Sequence, residues 1–359
     1  MSSDFGKNIK IQLFGQSHSE AVGVIIDGLP AGERLDMEFI NRFLQRRSPG
    51  QSDLTTSRKE ADVPEILSGL LDGITCGAPL CALFKNKDTR SGDYEDLKAV
   101  PRPGHADYTA FIKTGGANDI RGGGHFSARL TAPLTFAGAV CAQLLAKKGI
   151  TIGAHISSIG NIVDKRFDSL HTTVDALSFI KEKPFPVIDE EAGEAMQALI
   201  RNVSKEGDSV GGTIECCILG LPPGIGEPIF DGMENHIASA IFGIPAVKGI
   251  EFGAGFSASE LKGSENNDSF FFDNKTVKTK TNFHGGILGG LSSGMSILFR
   301  TAFKPTPSIS KEQDSVNLRT KENTKLIIQG RHDPCVVIRA VPCVEAAAAI
   351  AIYDLIGEK

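Results

Sequence analysis

The chain has 359 residues, with 38 Lys and Arg against 43 Asp and Glu and a formal net charge of −5. That balance excludes a generally basic nucleic-acid binder, and 41% hydrophobic residues exclude a disordered chain. Glycine numbers 40, above the ordinary share of about 7%, but it follows no Gly-X-Y period and gathers at 122–124 and 285–294.

In chain order, patterning predicts strands at 9–14 and 22–27, each stopped by glycine. A helix follows from an Asp36 N-cap to about residue 47, with Phe39, Phe43 and Leu44 on one face. Residues 48–52, Ser-Pro-Gly-Gln-Ser, break the chain. Residues 65–71 and 80–84 read as a hairpin-like pair turned at Asp72-Gly73. The stretch 86–124 is rich in Gly, Pro, Asp and Arg, and so long a connection in a compact domain is more often functional than idle. A largely apolar helix is expected at 126–148. Its uncharged part, 130–146, contains Pro133 and is short for a bilayer span, so it reads as the buried helix of a soluble cytoplasmic protein.

Further strands are expected at 151–159, 209–219, 247–252 and 295–303, helices at 189–205, 231–242 and 345–356, and an exposed polar loop at 257–281. Helices and strands mix without regular β-α-β spacing, which gives an α+β class in one domain spanning 1–359. Nothing at the N-terminus reads as a signal core. The seven cysteines include no Cys-x-x-Cys pair, so free thiols in a reducing compartment are expected. The eight histidines show no zinc-ligand spacing, and no metal is expected.

Standard nucleotide signatures are absent. What stands out is arginine: Arg42, Arg46, Arg47, Arg58, Arg90, Arg102, Arg121 and Arg129 fall close together, several beside Gly or Pro. Guanidinium forks match carboxylates and phosphates, so converging loops of this kind suit a small polyanion; a solvated basic face paired with neighbouring acids is the other reading. His18 and His105 sit in such loops, where a histidine serves as a proton donor near neutral pH or as a structural group. The run from Arg121 through Gly122, Gly123 and Gly124 to Ser127 opens a helix and offers backbone N–H groups to an anion. Glycines at 285–290 leave bare backbone for a flat ring, or serve tight packing. Asp333, beside Arg331, either orients a base or pairs with that arginine.

Taken together, Gly15-Gln16-Ser17-His18, Arg102-Pro103-Gly104-His105-Ala106-Asp107, Arg121-Gly-Gly-Gly with Ser127-Ala128-Arg129, the glycines at 285–290, Lys304-Pro305-Thr306 and Gly330-Arg331-His332-Asp333-Pro334 closely resemble the chorismate synthase family. The six motifs occur in the family's order along 10–356. The resemblance implies core helices sandwiched between two four-stranded antiparallel sheets, and a homotetramer. It implies a lyase that converts 5-enolpyruvylshikimate 3-phosphate to chorismate by anti-1,4 elimination of phosphate, requiring reduced FMN that is not consumed. In the family picture the flavin donates an electron transiently and its N5 takes the C6 proton.

By position, Arg47, Arg102, Arg129 and Arg331 resemble the substrate's anion ligands. His18 resembles the histidine that assists the leaving phosphate, and His105 the one beside the flavin's N1 edge. Ser17, Ser127 and Asp333 match residues that tune flavin protonation. FMN contacts map onto His125, Phe126, Ser127, Pro245, Ala246, Gly289, Lys304, Pro305, Thr306, Pro307, Ser308 and Arg331. Arg47 is also the family's NADP position. Without a recognisable reductase insertion, the chain is expected to depend on an external flavin reductase. Gln16, Ser19, Asp53, His125-Phe126 and Pro245 depart from the family pattern; Asp53 stands where a second arginine is usual, with Arg46 or Arg58 as substitutes. The other function classes are a non-catalytic anion or RNA binder, disfavoured by charge and by having only Phe126 and Tyr108 near the loops, and a flavin reductase.

Overall fold

The structure is a computed structural model that describes residues 3–56, 60–87, 99–328 and 332–357. Arg58, Arg90 and Arg331 lie outside the described residues.

Two antiparallel sheets form; side chains alternate in burial along strands such as 80–85, whereas 151–159 is buried almost throughout. The first contains β1 (Asp4–Phe5), β2 (Lys10–Gly15), β3 (Ala21–Asp27), β4 (Glu65–Ser68) and, after a small hairpin of β5 (Leu70–Leu71) and β6 (Ile74–Thr75), β7 (Leu80–Lys85), in the order β1-β2-β3-β7-β4. The Asp72-Gly73 pair turns that small hairpin, both residues having positive φ (52° and 76°), as the sequence suggested. The second sheet contains β8 (Thr151–Ile159), β9 (Ile162–Val163), β10 (Gly212–Leu219), β11 (Val247–Phe252) and β16 (Ile297–Phe303), in the order β11-β16-β10-β8-β9. Each sheet thus has five strands where four were expected. In each, one edge strand (β1, β9) is only two residues long.

The helices that cover the two sheets are α3 (Thr131–Lys147) and α8 (Val337–Ile356), joined by α1 (Met37–Arg47). α3 packs on β2, β3 and β7, α8 on β8 and β10, and the two helices pack on each other, with α1 against both. Small residues permit that closeness: a Cβ on Gly138 would stand 2.2 Å from the Ala346 Cβ. Phe136 of α3 is fully buried and meets Phe84 edge-on, with ring centroids 6.1 Å apart. The helix at 128–147 is apolar and long enough to cross a membrane by composition, but 72% of its most apolar stretch is buried inside the fold. All seven cysteines are free thiols.

Asp36 caps α1, accepting from the N–H groups of Glu38 and Phe39. α3 begins later than expected, at Thr131, because the three glycines and a 3₁₀ turn (Ala128–Leu130) capped by Ser127 precede it. α8 begins earlier than expected, running through Pro342. Residues 257–281 are no simple loop, since they hold the short α7 (Gly263–Asn266) and a hairpin of β12 (Phe270–Asp273) and β13 (Thr276–Thr279). Helices α2 (Asp107–Thr114) and α4 (Val174–Lys181), and the hairpins β14 (Ile287–Leu288) with β15 (Leu291–Ser292) and β17 (Gln313–Asn317) with β18 (Glu322–Leu326), were not anticipated. The expected helices at 189–205 and 231–242 are α5 (Glu190–Lys205) and α6 (Met233–Phe242).

Candidate active site

At one end of the layered core the C-terminus of α1, the N-termini of α3 and α8 and the chain leaving β16 border a cavity of about 530 Å³. Two helix N-termini at its edge favour an anion.

Arg47, the last residue of α1, is 3% exposed. Its Nε donates to Thr131 Oγ1 at 2.9 Å, Nη2 to the Ala128 carbonyl at 3.1 Å and Nη1 to Asp62 Oδ2 at 2.5 Å. Arg129, in the turn before α3, donates Nη1 to the other oxygen of Asp62 and Nε to Asn86 Oδ1 at 2.9 Å, with Glu60 Oε2 at 3.2 Å. Asp62 is therefore a buried bridge between two arginines. Burial would raise its pKa, but the two guanidiniums outweigh that and hold it at about 2. Its φ of 46° lies in the left-handed region, where a non-glycine residue is held by its surroundings.

A second cluster joins Arg102, His105 and Asp107. Arg102 Nε and Nη2 donate to Asp107 at 2.7 and 2.8 Å, His105 Nδ1 meets Asp107 Oδ1 at 2.6 Å, and Arg102 Nη1 reaches Ser308 Oγ at 3.3 Å. In a third, Asp333 accepts from Arg339 Nη1 at 2.5 Å and from the Thr56 N–H at 2.8 Å. Its described ion-pair partner is thus Arg339 on α8. Lys304 Nζ donates to the Gly104 carbonyl at 3.0 Å, and burial together with Lys248 lowers its pKa.

The cavity brings together most of the expected residues. Arg47, Arg102, Arg129, His105, Ser127 and Asp333 line it, as do His125, Phe126, Pro245, Ala246 and Lys304, with Thr306, Pro307 and Ser308. Both nitrogens of His125 are engaged elsewhere, with the Gly15 carbonyl at 2.8 Å and Ser3 Oγ at 2.7 Å. Ser17 and His18 do not line the cavity; they stand behind Gly122, which does, and a Cβ there would lie 2.3 Å from His18 Nδ1 and 2.5 Å from Ser17 Oγ. With φ values of 60° and 84°, Gly122 and Gly123 take backbone shapes that suit glycine. Pro305 and Gly289 are also outside the lining. The second glycine cluster mostly serves packing: Gly285, Gly286 and Gly290 abut backbone, and only Gly289 faces open space.

Arg46, a candidate substitute for the missing second arginine, points away: it forms a two-pronged pair with Glu345 of α8 at 2.6 and 3.0 Å. Asp53 pairs instead with Arg201 at 2.8 Å. Asp62, Glu60 and Arg339 were missed. No local pattern marks an acid as the partner of an arginine tens of residues away, and Arg339 lay in a helix whose start was placed too late. Asp107 was within a recognised motif, but without a role.

The chorismate synthase family model matches residues 9–356. The chain is 47% identical over 365 residues to a chorismate synthase of Lancefieldella parvula, covering 99% of this chain and 96% of that protein. Over 349 residues it is 47% identical to one from Pyrococcus abyssi, covering 97% and 96%. A crystal structure of chorismate synthase superposes with a TM-score of 0.75 at 28% identity, covering 98% of this chain and 92% of the other. With the family model and curated relatives matching nearly its whole length, the chain belongs to the chorismate synthase family.

Proposed function

We propose that the arginine-lined cavity is where this chain carries out the family's reaction, the elimination of phosphate from 5-enolpyruvylshikimate 3-phosphate to give chorismate. The observation that carries this reading is the convergence of Arg47, Arg102 and Arg129 with His105 and Asp333 around one cavity. Each arginine is buried and already braced by a carboxylate, so it is held in place before a phosphate or carboxylate arrives, which lowers the cost of binding and reaction. Net, a C3–O bond and a C6–H bond break and a second ring double bond forms, with no overall redox change.

Reduced FMN fits the residues present. The Thr306 hydroxyl is buried without a hydrogen-bond partner among the described residues, Lys304 lies beside it, and both face the cavity; these suit the flavin phosphate. When bound, reduced FMN supplies transient electron donation for phosphate loss and a basic N5 for the C6 proton. Ser127 and Asp333 line the same cavity as His105, and His105 would hold or give a proton to the bound flavin. His18 lies behind Gly122 rather than in the lining, and is kept as the group that assists the leaving phosphate by its position in the motif. Arg331 is kept as a substrate and flavin ligand by its position in the motif, and Gly289 and Pro305 as flavin contacts.

The homotetramer is carried over from the family resemblance; the exposed Phe230, Phe256 and Phe272 (86%, 84% and 75% exposed) are candidates for its contacts. An external source of reduced flavin and a cytoplasmic location complete the reading. To test the site, FMN and substrate binding are measured with turnover for His105→Ala, His18→Ala and Lys304→Ala. The histidine variants should lose about 10²- to 10⁴-fold in turnover while binding FMN normally, and Lys304→Ala should weaken FMN binding. Histidine variants with near-normal turnover would refute the assignment.

A further inference from the structure

Asp107 opens α2 and is 4% exposed, yet the reaction as read above gives it no task. Its Oδ2 accepts from the Arg102 backbone N–H at 3.0 Å and from Nε at 2.7 Å; its Oδ1 accepts from Arg102 Nη2 at 2.8 Å and meets His105 Nδ1 at 2.6 Å. A carboxylate only accepts, so Nδ1 carries the proton. Arg102 Nη2 also lies 3.1 Å from Nδ1, but both groups are donors, and their closeness follows from converging on one oxygen. The other ring nitrogen, Nε2, is then an acceptor; it lies 3.4 Å from Arg102 Nη2 and is turned toward Gly123, where a Cβ would stand 3.1 Å from it. Burial alone would raise the Asp107 pKa; hydrogen bonds from Arg102 and His105 outweigh it and hold the carboxyl well below the usual range.

We propose that Asp107 is a positioning residue for the reaction: it locks the Arg102 guanidinium and the His105 imidazole into one unit, fixing the Nδ1–H tautomer and so leaving Nε2 unprotonated on a ring that lines the cavity. One short segment, Arg102 to Asp107, thereby sets an anion ligand and a proton-handling group in fixed relation, so that a bound substrate meets both at once. Carboxylates orient histidines in this way where the tautomer matters.

The inference rests on reading His105 as a catalytic residue. Its test is a double-mutant cycle on the full-length protein, assayed without oxygen with reduced FMN and 5-enolpyruvylshikimate 3-phosphate: Asp107→Asn, His105→Ala and both together. Asp107→Asn should lower kcat about a hundredfold with FMN affinity unchanged, and the double variant should be clearly less impaired than the product of the single losses. Asp107→Glu, which keeps the charge, should recover part of the loss. Multiplying losses, or an Asp107→Asn enzyme within about twofold of wild type, would overturn the proposal. If Asp107→Asn does not fold, Asp107→Ala enters the same cycle with the same two outcomes. An inactive wild-type protein would strike the functional reading itself, not the role of Asp107 within it.

Discussion

Asp62 Oδ2 lies 2.5 Å from Arg47 Nη1, with the carboxylate fully shielded from solvent, and its other oxygen is held by Arg129. Removing the charge leaves two buried guanidiniums facing each other. Asp62→Asn is therefore expected to destabilise the fold by about 3–5 kcal/mol and to weaken substrate binding, as read by urea denaturation and by KM. A variant with wild-type stability would show that the bridge is not needed.

The same carboxylate predicts acid sensitivity. Its folded pKa, about 2, lies below the unfolded value near 3.9. The stability it contributes is complete above about pH 4 and is lost as pH falls through the folded value. Denaturation midpoints measured between pH 5 and pH 2 should fall steeply in the wild type and less so in Asp62→Asn.

His155 predicts the opposite limb. It is fully buried, with Nδ1 3.0 Å from Asp164 and Nε2 3.1 Å from Glu215. Burial would lower its pKa, but the two carboxylates outweigh that and raise it. Its contribution is complete below the unfolded value near 6.5 and is lost as pH rises through the raised folded value. His155→Gln should cost about 3–5 kcal/mol at pH 6, and the gap to wild type should narrow toward high pH in denaturation curves.

Much of this was legible in the sequence where the controlling interaction is local. The Asp36 cap, the Asp72-Gly73 turn and the strand at 151–159 follow from neighbours in the chain. The clustering of His105 and Ser127 with the three arginines was likewise expected from motifs. What escaped depends on contacts far apart in sequence: the Asp62 bridge, the Asp333–Arg339 pair, and Arg46 turning to Glu345. α8 also starts earlier than the sequence suggested, with Pro342 inside it, where the missing N–H gives up the bond to the Ile338 carbonyl and buried packing must offset the loss. The hairpin at 270–279 was hidden by its polar flanks.

Arg46 separates structural from substrate arginines. Because its guanidinium is spent on the buried Glu345, Arg46→Leu should leave KM for substrate within about twofold while costing about 3–5 kcal/mol of stability. Steady-state kinetics beside a urea titration checks this; a large rise in KM at unchanged stability would place Arg46 in the site after all.

Gly138 tests the central packing. Gly138→Ala drives a methyl to 2.2 Å from Ala346, which overpacks the α3–α8 contact and should cost about 1–3 kcal/mol. Thermal unfolding reads it, and an unchanged midpoint would mean that the two helices separate easily.

The most direct measurement is anaerobic turnover by the purified protein supplied with chemically reduced FMN and 5-enolpyruvylshikimate 3-phosphate. The account predicts equal amounts of phosphate and chorismate, with the flavin still reduced at the end and no product when FMN is omitted. No product, or product formed at the expense of flavin oxidation, would contradict it.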